Sequence, residues 1–256
     1  MHMISRRSLL GGGALLLAAS RVQATEIAEK FDVAADEGPL ALTRYAANRA
    51  GKRPAVVVLH GSRGFELRPL AYQRYADALT AAGVDVYLAR YYGPADVQAR
   101  QKLSTSESRD AYDSERFGVW ASRESSALTA ILARPESSGR LGLLGFSLGG
   151  FVAAATATRD ERVVALAVLY GGMPEKIAPA VKRMPPLIEL HGDADRNVPL
   201  SNGQALIKLA KAVGAQADQI VYPGKPHGFD FANNDPATAD AIAHVVDFFK
   251  RQLIAA

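Results

Sequence analysis

The sequence contains no cysteine. That absence excludes disulfides, thiolate metal sites, a cysteine nucleophile and lipid attachment through a cysteine. It also lacks any run of 18 apolar, uncharged residues, which excludes a multi-span membrane protein. A large charge imbalance is missing as well. The formal net charge is +4, and three of the basic residues, Arg6, Arg7 and Arg21, lie in residues 1–24, where there is no acid. The remainder is almost balanced, so it has no general attraction for nucleic acid. What is present is 256 residues, 48% hydrophobic and 22% charged. Such a chain is neither wholly disordered nor collagen-like, and it is long enough for one large domain or two small ones.

The N-terminus reads as an address. Ser5-Arg6-Arg7-Ser8-Leu9-Leu10 is followed by an apolar, Gly- and Ala-rich stretch from Gly11 to Ala19, then Arg21 and Val22-Gln23-Ala24. A charged start, a short apolar run and a small-residue end are the layout of a cleaved signal peptide, here residues 1–24. The paired arginines resemble a twin-arginine export signal, implying a periplasmic or secreted protein without a stable membrane anchor.

Residues 25–256 read as one domain, with no internal repeat or composition break. Leu40 to Tyr45 is an expected edge strand. Pro54 to His60 is a continuous apolar, β-branched run, as expected of a strand buried on both faces. Further strands are expected over Val84–Ala89, Leu141–Phe146, Val163–Tyr170, Leu187–His191 and Gln219–Tyr222. Helices are expected over Leu70–Ala82, Arg116–Ala133, Leu148–Thr158, Ser201–Val213 and Ala237–Leu253. Gly93 to Glu115 is polar and reads as a partly helical surface excursion. Strands alternating with helices predict an α/β fold, a mostly parallel sheet with helices on both faces. In such sheets function gathers at the carboxyl ends of the strands.

Gly145-Phe146-Ser147-Leu148-Gly149 is a G-x-S-x-G motif between an expected strand and an expected helix, the context in which it lifts a serine onto a sharp, strained turn. A structural serine at a glycine-rich helix entry is the bland alternative. A serine nucleophile needs an imidazole base and a carboxylate to orient it, in chain order serine, acid, histidine. Of the histidines after Ser147, His244 falls in the terminal helix and His191 precedes the candidate acids. His227, in Pro223-Gly-Lys-Pro-His-Gly-Phe229, has the order and loop position of the base. The turn His191-Gly-Asp-Ala-Asp-Arg-Asn-Val-Pro199 offers two carboxylates. Asp193 is placed to cap the turn, and Asp195 lies deeper, towards the His227 loop. His191, Asp193 and Asp195 are too few and too divergent for a metal site, and no cofactor is expected. The oxyanion donors expected are the Leu148 amide and the Ser62 amide in His60-Gly61-Ser62-Arg63-Gly64. His60 is expected to brace that loop. Phe65, Tyr91, Tyr92, Phe146 and Phe231 are expected pocket walls by loop position.

Three segments carry a family resemblance: Leu144-Gly-Phe-Ser-Leu-Gly-Gly150, His191 to Pro199, and Lys225-Pro-His-Gly-Phe229. The chain resembles the dienelactone hydrolase family of α/β-hydrolases over most of residues 25–256. The resemblance implies Asp195 as the triad acid, His227 as the base, and a small ester or lactone as substrate. It departs from the dienelactone-opening enzymes in three places. Ser147 replaces their cysteine, Gly61 stands where they carry a glutamate, and Phe231 stands where they carry one of two carboxylate-binding arginines. Arg90 matches the other arginine, and either receives an acidic group or pairs with a surface acid. The expectation is an exported serine esterase or lactonase, monomeric or a small homo-oligomer. A peptidase or acyl-peptide hydrolase, and a non-catalytic binding protein on the same fold, are the alternatives.

Overall fold

The computed structural model describes residues 28–255. The expected signal peptide lies outside the described residues. Eight strands form one sheet: β1 (Glu29–Val33), β2 (Leu40–Tyr45), β3 (Arg53–Leu59), β4 (Asp85–Ala89), β5 (Ser137–Phe146), β6 (Val163–Leu169), β7 (Leu187–Gly192) and β8 (Ala217–Tyr222). Their spatial order is β1-β2-β4-β3-β5-β6-β7-β8. The β1–β2 and β2–β4 pairs are antiparallel, and every other pair is parallel. Among the described residues the six α-helices are α1 (Pro69–Ala81), α2 (Pro94–Lys102), α3 (Ser106–Leu132), α4 (Leu148–Arg159), α5 (Leu200–Ala212) and α6 (Pro236–Phe249).

The parallel strands demand helices on both faces, because each crossover must return over the sheet. The period of two then divides each strand between two cores. In β3, Ala55, Val57 and Leu59 pack with residues of α3, α4 and α5. Val56 and Val58 pack on the opposite face with Tyr72, Tyr75 and Leu79 of α1 and Val245 and Phe248 of α6. This double burial is why β3 reads as an unbroken apolar run. At the start of β4, the buried carboxylate of Asp85 accepts from Arg44 Nη2 (2.7 Å), Arg53 Nε (2.7 Å) and the Ala47 amide (2.9 Å). One acid thereby ties β2, β3 and β4 together.

The order of elements agrees with the sequence reading, with three differences. β1 was not expected, and it takes the edge place expected of Leu40–Tyr45, which lies between β1 and β4; Glu29-Lys-Phe-Asp-Val33 carries three charges, a composition that an edge strand tolerates. The Gly93–Glu115 excursion is largely helical, and α3 starts at Ser106, ten residues before the expected start at Arg116. Thr105 caps α3, its hydroxyl accepting from the Ser108 amide at 3.1 Å. Asp96, fully buried, fastens α2 to α3. Its carboxylate accepts from Tyr112 Oη (2.7 Å), Arg116 Nε (2.7 Å) and Trp120 Nε1 (2.9 Å). A buried acid met by three side-chain donors and the Gly93 amide is invisible to a hydropathy pattern, which reads the segment as a solvated surface. The terminal helix also changes character: α6 ends at Phe249 and the chain finishes in a wider π-helical turn, Lys250–Ile254.

Candidate active site

Ser147 sits between the end of β5 and the first residue of α4 with φ 54° and ψ −122°, a left-handed conformation that a non-glycine residue adopts only under constraint. The glycines around it are required by contact. A Cβ on Gly145 would lie 2.3 Å from the Gly149 carbonyl oxygen. One on Gly149 would lie 2.4 Å from the carbonyl oxygens of Leu59 and His60. The turn can therefore press against β3 only with hydrogen at those positions, and the Ser147 hydroxyl is lifted off the sheet edge at the N-terminus of α4.

Three loops at the carboxyl ends of β5, β7 and β8 bring their side chains to one point. His227 Nε2 lies 2.9 Å from Ser147 Oγ, and His227 Nδ1 lies 2.7 Å from Asp195 Oδ2. With Nδ1–H donated to the carboxylate, Nε2 is left as the acceptor for the serine proton. The second oxygen of Asp195 accepts from the amides of Asn197 (2.8 Å) and Val198 (2.9 Å). Burial acts against ionisation of Asp195, but bonds from His191, His227 and the Val198 amide outweigh it and hold the acid far below the usual carboxylate range. Asp193 faces elsewhere, its Oδ1 accepting from the Gly224 amide at 2.6 Å and tying the β7 and β8 loops together.

The ring of Tyr170 lies edge-on to His227, centroids 4.7 Å apart. Tyr170 has a positive φ of 41°. Its hydroxyl donates to Asp230 Oδ1 at 2.8 Å, and Tyr75 donates to Asp230 Oδ2 at 2.8 Å. Burial lifts the Asp230 carboxyl to about 6 despite both donors. The short turn that follows His227 is thus anchored from α1 and β6. No local motif in the sequence marks Tyr170, Tyr75 or Asp230 as site residues; only the fold brings them together.

Across the cleft stands the loop after β3. A Cβ on Gly61 would come 3.6 Å from Ser147 Cβ, so this loop faces the nucleophile. The Gly61 amide donates to Tyr72 Oη at 3.1 Å, and Ser62, the expected oxyanion donor, lines the cleft next to it. Leu148, the other expected donor, is the first residue of α4 and also lines the cleft. His60 braces the loop. Its ring stacks on Tyr91 at 4.3 Å, Nδ1 contacts the Gly61 carbonyl at 2.7 Å, and burial pulls its pKa down to about 4, so it is neutral at neutral pH.

The cleft around Ser147 has a volume of about 1700 Å³. Phe146, Tyr170 and Phe231 line one side; Tyr92, Val97, Arg100 and Phe117 line another. The α2–α3 segment therefore forms a wall of the cleft. Two expected wall residues do not reach it: Tyr91 is fully buried against His60 and Trp120, and Phe65 is packed between His60 and Tyr72. The reason is that alternate residues at the end of β4 point to opposite sides, and Tyr92 takes the cleft-facing place. Arg90 lines the cleft but is engaged, pairing with Glu66 and lying over the Phe65 ring at 5.6 Å. Deeper in the same wall, Arg100 pairs with Asp113, whose carboxyl burial raises to about 6. His244 is half-exposed on α6, 3.5 Å from Asp240.

Among proteins with curated descriptions, no sequence matches the chain. Solved structures with the same fold include a dienelactone hydrolase from Anabaena variabilis ATCC 29413 (TM-score 0.70, 20% identity, 88% of this chain and 99% of that one). A thermophilic, thermostable carboxylesterase from a metagenomic library superposes with TM-score 0.71 at 16% identity, covering 90% of each chain. A dienelactone hydrolase-like promiscuous phosphotriesterase, also metagenomic, gives 0.70 at 19% identity, covering 88% and 98%. The sequence pattern of the dienelactone hydrolase family matches residues 42–253.

Proposed function

Because the chain belongs to the dienelactone hydrolase family, a family of hydrolases, we propose that it is a serine hydrolase of carboxylic esters or lactones, with Ser147, His227 and Asp195 as its catalytic triad. One observation carries the reading: Ser147 Oγ, His227 and Asp195 form a continuous hydrogen-bonded line at 2.9 and 2.7 Å. In the reaction, Ser147 gives its proton to His227 Nε2 as Oγ attacks the substrate carbonyl. The amides of Leu148 and Ser62 receive the developing oxyanion. Asp195 holds the imidazolium that forms. His227 returns the proton to the leaving alcohol, then takes one from water as that water releases the acyl group from Ser147.

The surroundings bear on the substrate. Arg90 is paired with Glu66, and Phe231 presents an apolar ring to the cleft. Both support an acyl group uncharged at that end. The cleft is larger than a short ester fills, so an extended alcohol or acyl part can be accommodated. Residues 1–24 act as the export signal and residues 25–256 as the hydrolase domain in this proposal, on the twin-arginine layout of the sequence.

Hydrolysis of a short-chain nitrophenyl ester by the protein lacking residues 1–24, beside Ser147→Ala, tests the chemistry. The expected loss in the variant is at least about a thousandfold. Equal rates in both proteins would overturn Ser147 as nucleophile, as would the absence of fluorophosphonate labelling.

A further inference from the structure

Behind the triad, on the side away from the cleft, lies a second histidine. His191, at the end of β7, has no solvent exposure. Its Nδ1 is 2.7 Å from Glu189 Oε1. Its Nε2 is 2.9 Å from the Val198 carbonyl oxygen and 3.5 Å from Asp195 Oδ2. A backbone carbonyl can only accept, so Nε2 must carry a proton. Glu189 is also an acceptor: its Oε2 takes a hydrogen bond from Gln219 Nε2 at 2.7 Å, and its side chain is wholly buried. Two carboxylates and a backbone carbonyl surround the ring, an acceptor set that an imidazolium satisfies by donating from both nitrogens. Gly203 on α5 makes room for the pair, since a Cβ there would come 2.6 Å from the Glu189 carboxyl. Glu189 on its own strand and Asp195 on the following loop are carboxylates in contact with the ring, and on the β8 side the neutral Gln219 meets Glu189.

Resting on the triad reading above, we infer that His191 is a positioning residue: a buried imidazolium, fixed by Glu189, that holds Asp195 ionised and in register with His227. The line of charge therefore runs Glu189, His191, Asp195, His227, ending at Ser147. Burial favours the neutral ring, yet the bonds to Asp195 and Glu189 prevail and push the His191 pKa up to about 10. The positive ring offsets part of the field that Asp195 exerts on His227. Removing it makes His227 easier to protonate. Removing the Glu189 charge instead leaves an excess positive charge behind Asp195 and makes His227 harder to protonate.

The test is nitrogen NMR of the histidine rings, which needs no turnover and so stands apart from the ester assay. In the unaltered protein at about pH 8, His191 is expected to carry protons on both ring nitrogens, well above the ordinary histidine range. A neutral His191 ring overturns the inference, and does so even if variants at this site fail to fold. In His191→Gln the midpoint of the His227 titration moves up by about one pH unit, a tenfold change in proton binding. In Glu189→Gln it moves down. The acid limb of kcat/KM for the nitrophenyl ester follows in the same two directions. Shifts of the same sign in both variants, or none, would mean that the pair only fills space. Ser147-independent ester hydrolysis would defeat the triad reading while leaving the His191 protonation result as measured.

Discussion

Glu124 offers a test of how this fold treats buried charge. The inward stripe of α3 runs Trp120, Ala121, Glu124, Ala127, Leu128 and Ile131, so Glu124 stands in the middle of an apolar face. It is fully buried, and neither carboxyl oxygen has a hydrogen-bond partner among the described residues. The adjacent Arg123 is committed to backbone oxygens of Gly38, Pro39 and Tyr91. Burial therefore raises the Glu124 pKa from 4.5 to about 8, only partly opposed by Arg123. The folded chain keeps this proton to higher pH than the unfolded chain does. The resulting penalty is absent below the unfolded value, grows as pH rises from about 4.5 to 8, and is constant above that. At about 1.4 kcal/mol per pH unit the penalty is on the order of 3 kcal/mol at pH 7 and below about 1 kcal/mol at pH 5. Glu124→Gln removes the titration while keeping the shape. Urea unfolding should show the variant near wild-type stability at pH 5 and more stable by about 3–5 kcal/mol at pH 8. Glu124→Met, which also removes the unpaired polar atoms, should do at least as well. A Gln variant whose advantage does not grow between pH 5 and pH 8 would refute the reasoning.

Other expectations are simpler. Asp195→Asn should leave the fold intact but cut kcat for the nitrophenyl ester by about a thousandfold or more, because an amide favours the wrong tautomer of His227; near-normal kcat would reassign the acid. Gly149→Ala should destabilise the protein by at least about 2 kcal/mol in a urea titration, since its Cβ meets two backbone oxygens of the β3 end; an unchanged midpoint would contradict the tight turn. Asp85→Ala should cost about 3–5 kcal/mol in the same measurement, because Arg44 and Arg53 lose their shared partner in a partly buried site. Its esterase kcat should be unaffected, as the three residues lie at the opposite end of the strands from Ser147.

The inner parallel strands were legible because burial on both faces writes them as apolar runs, and the Ser147 and His227 motifs were legible because their residue types and chain order answer to the chemistry of a triad. The choice between Asp193 and Asp195 was not local. Each could cap the turn, and only the approach of the His227 loop separates them: Asp193 bonds the Gly224 amide and Asp195 meets the imidazole. The same limit hid β1, whose charged edge breaks the alternation, and the first three turns of α3. Asp96, Asp113 and Arg100 are polar in sequence yet buried through one another and through Tyr112, Arg116 and Trp120. His191 was set aside as a base because it precedes the acids in the chain; its two acceptors, Glu189 and the Val198 carbonyl, become apparent only once β7 and its loop are folded.

Among the described residues, β8 is the outermost strand on its side of the sheet and pairs only with β7. His227 hangs from its end, and its partner Ser147 is 80 residues away in sequence. An edge strand with one neighbour is among the first pieces of a sheet to detach. Competence is therefore decided at the periphery rather than in the well-supported middle, where the nucleophile itself is built. In refolding, circular dichroism should recover before turnover does, and in mild denaturant turnover should fail first. The rate of ester hydrolysis is then a clock for the docking of a single strand.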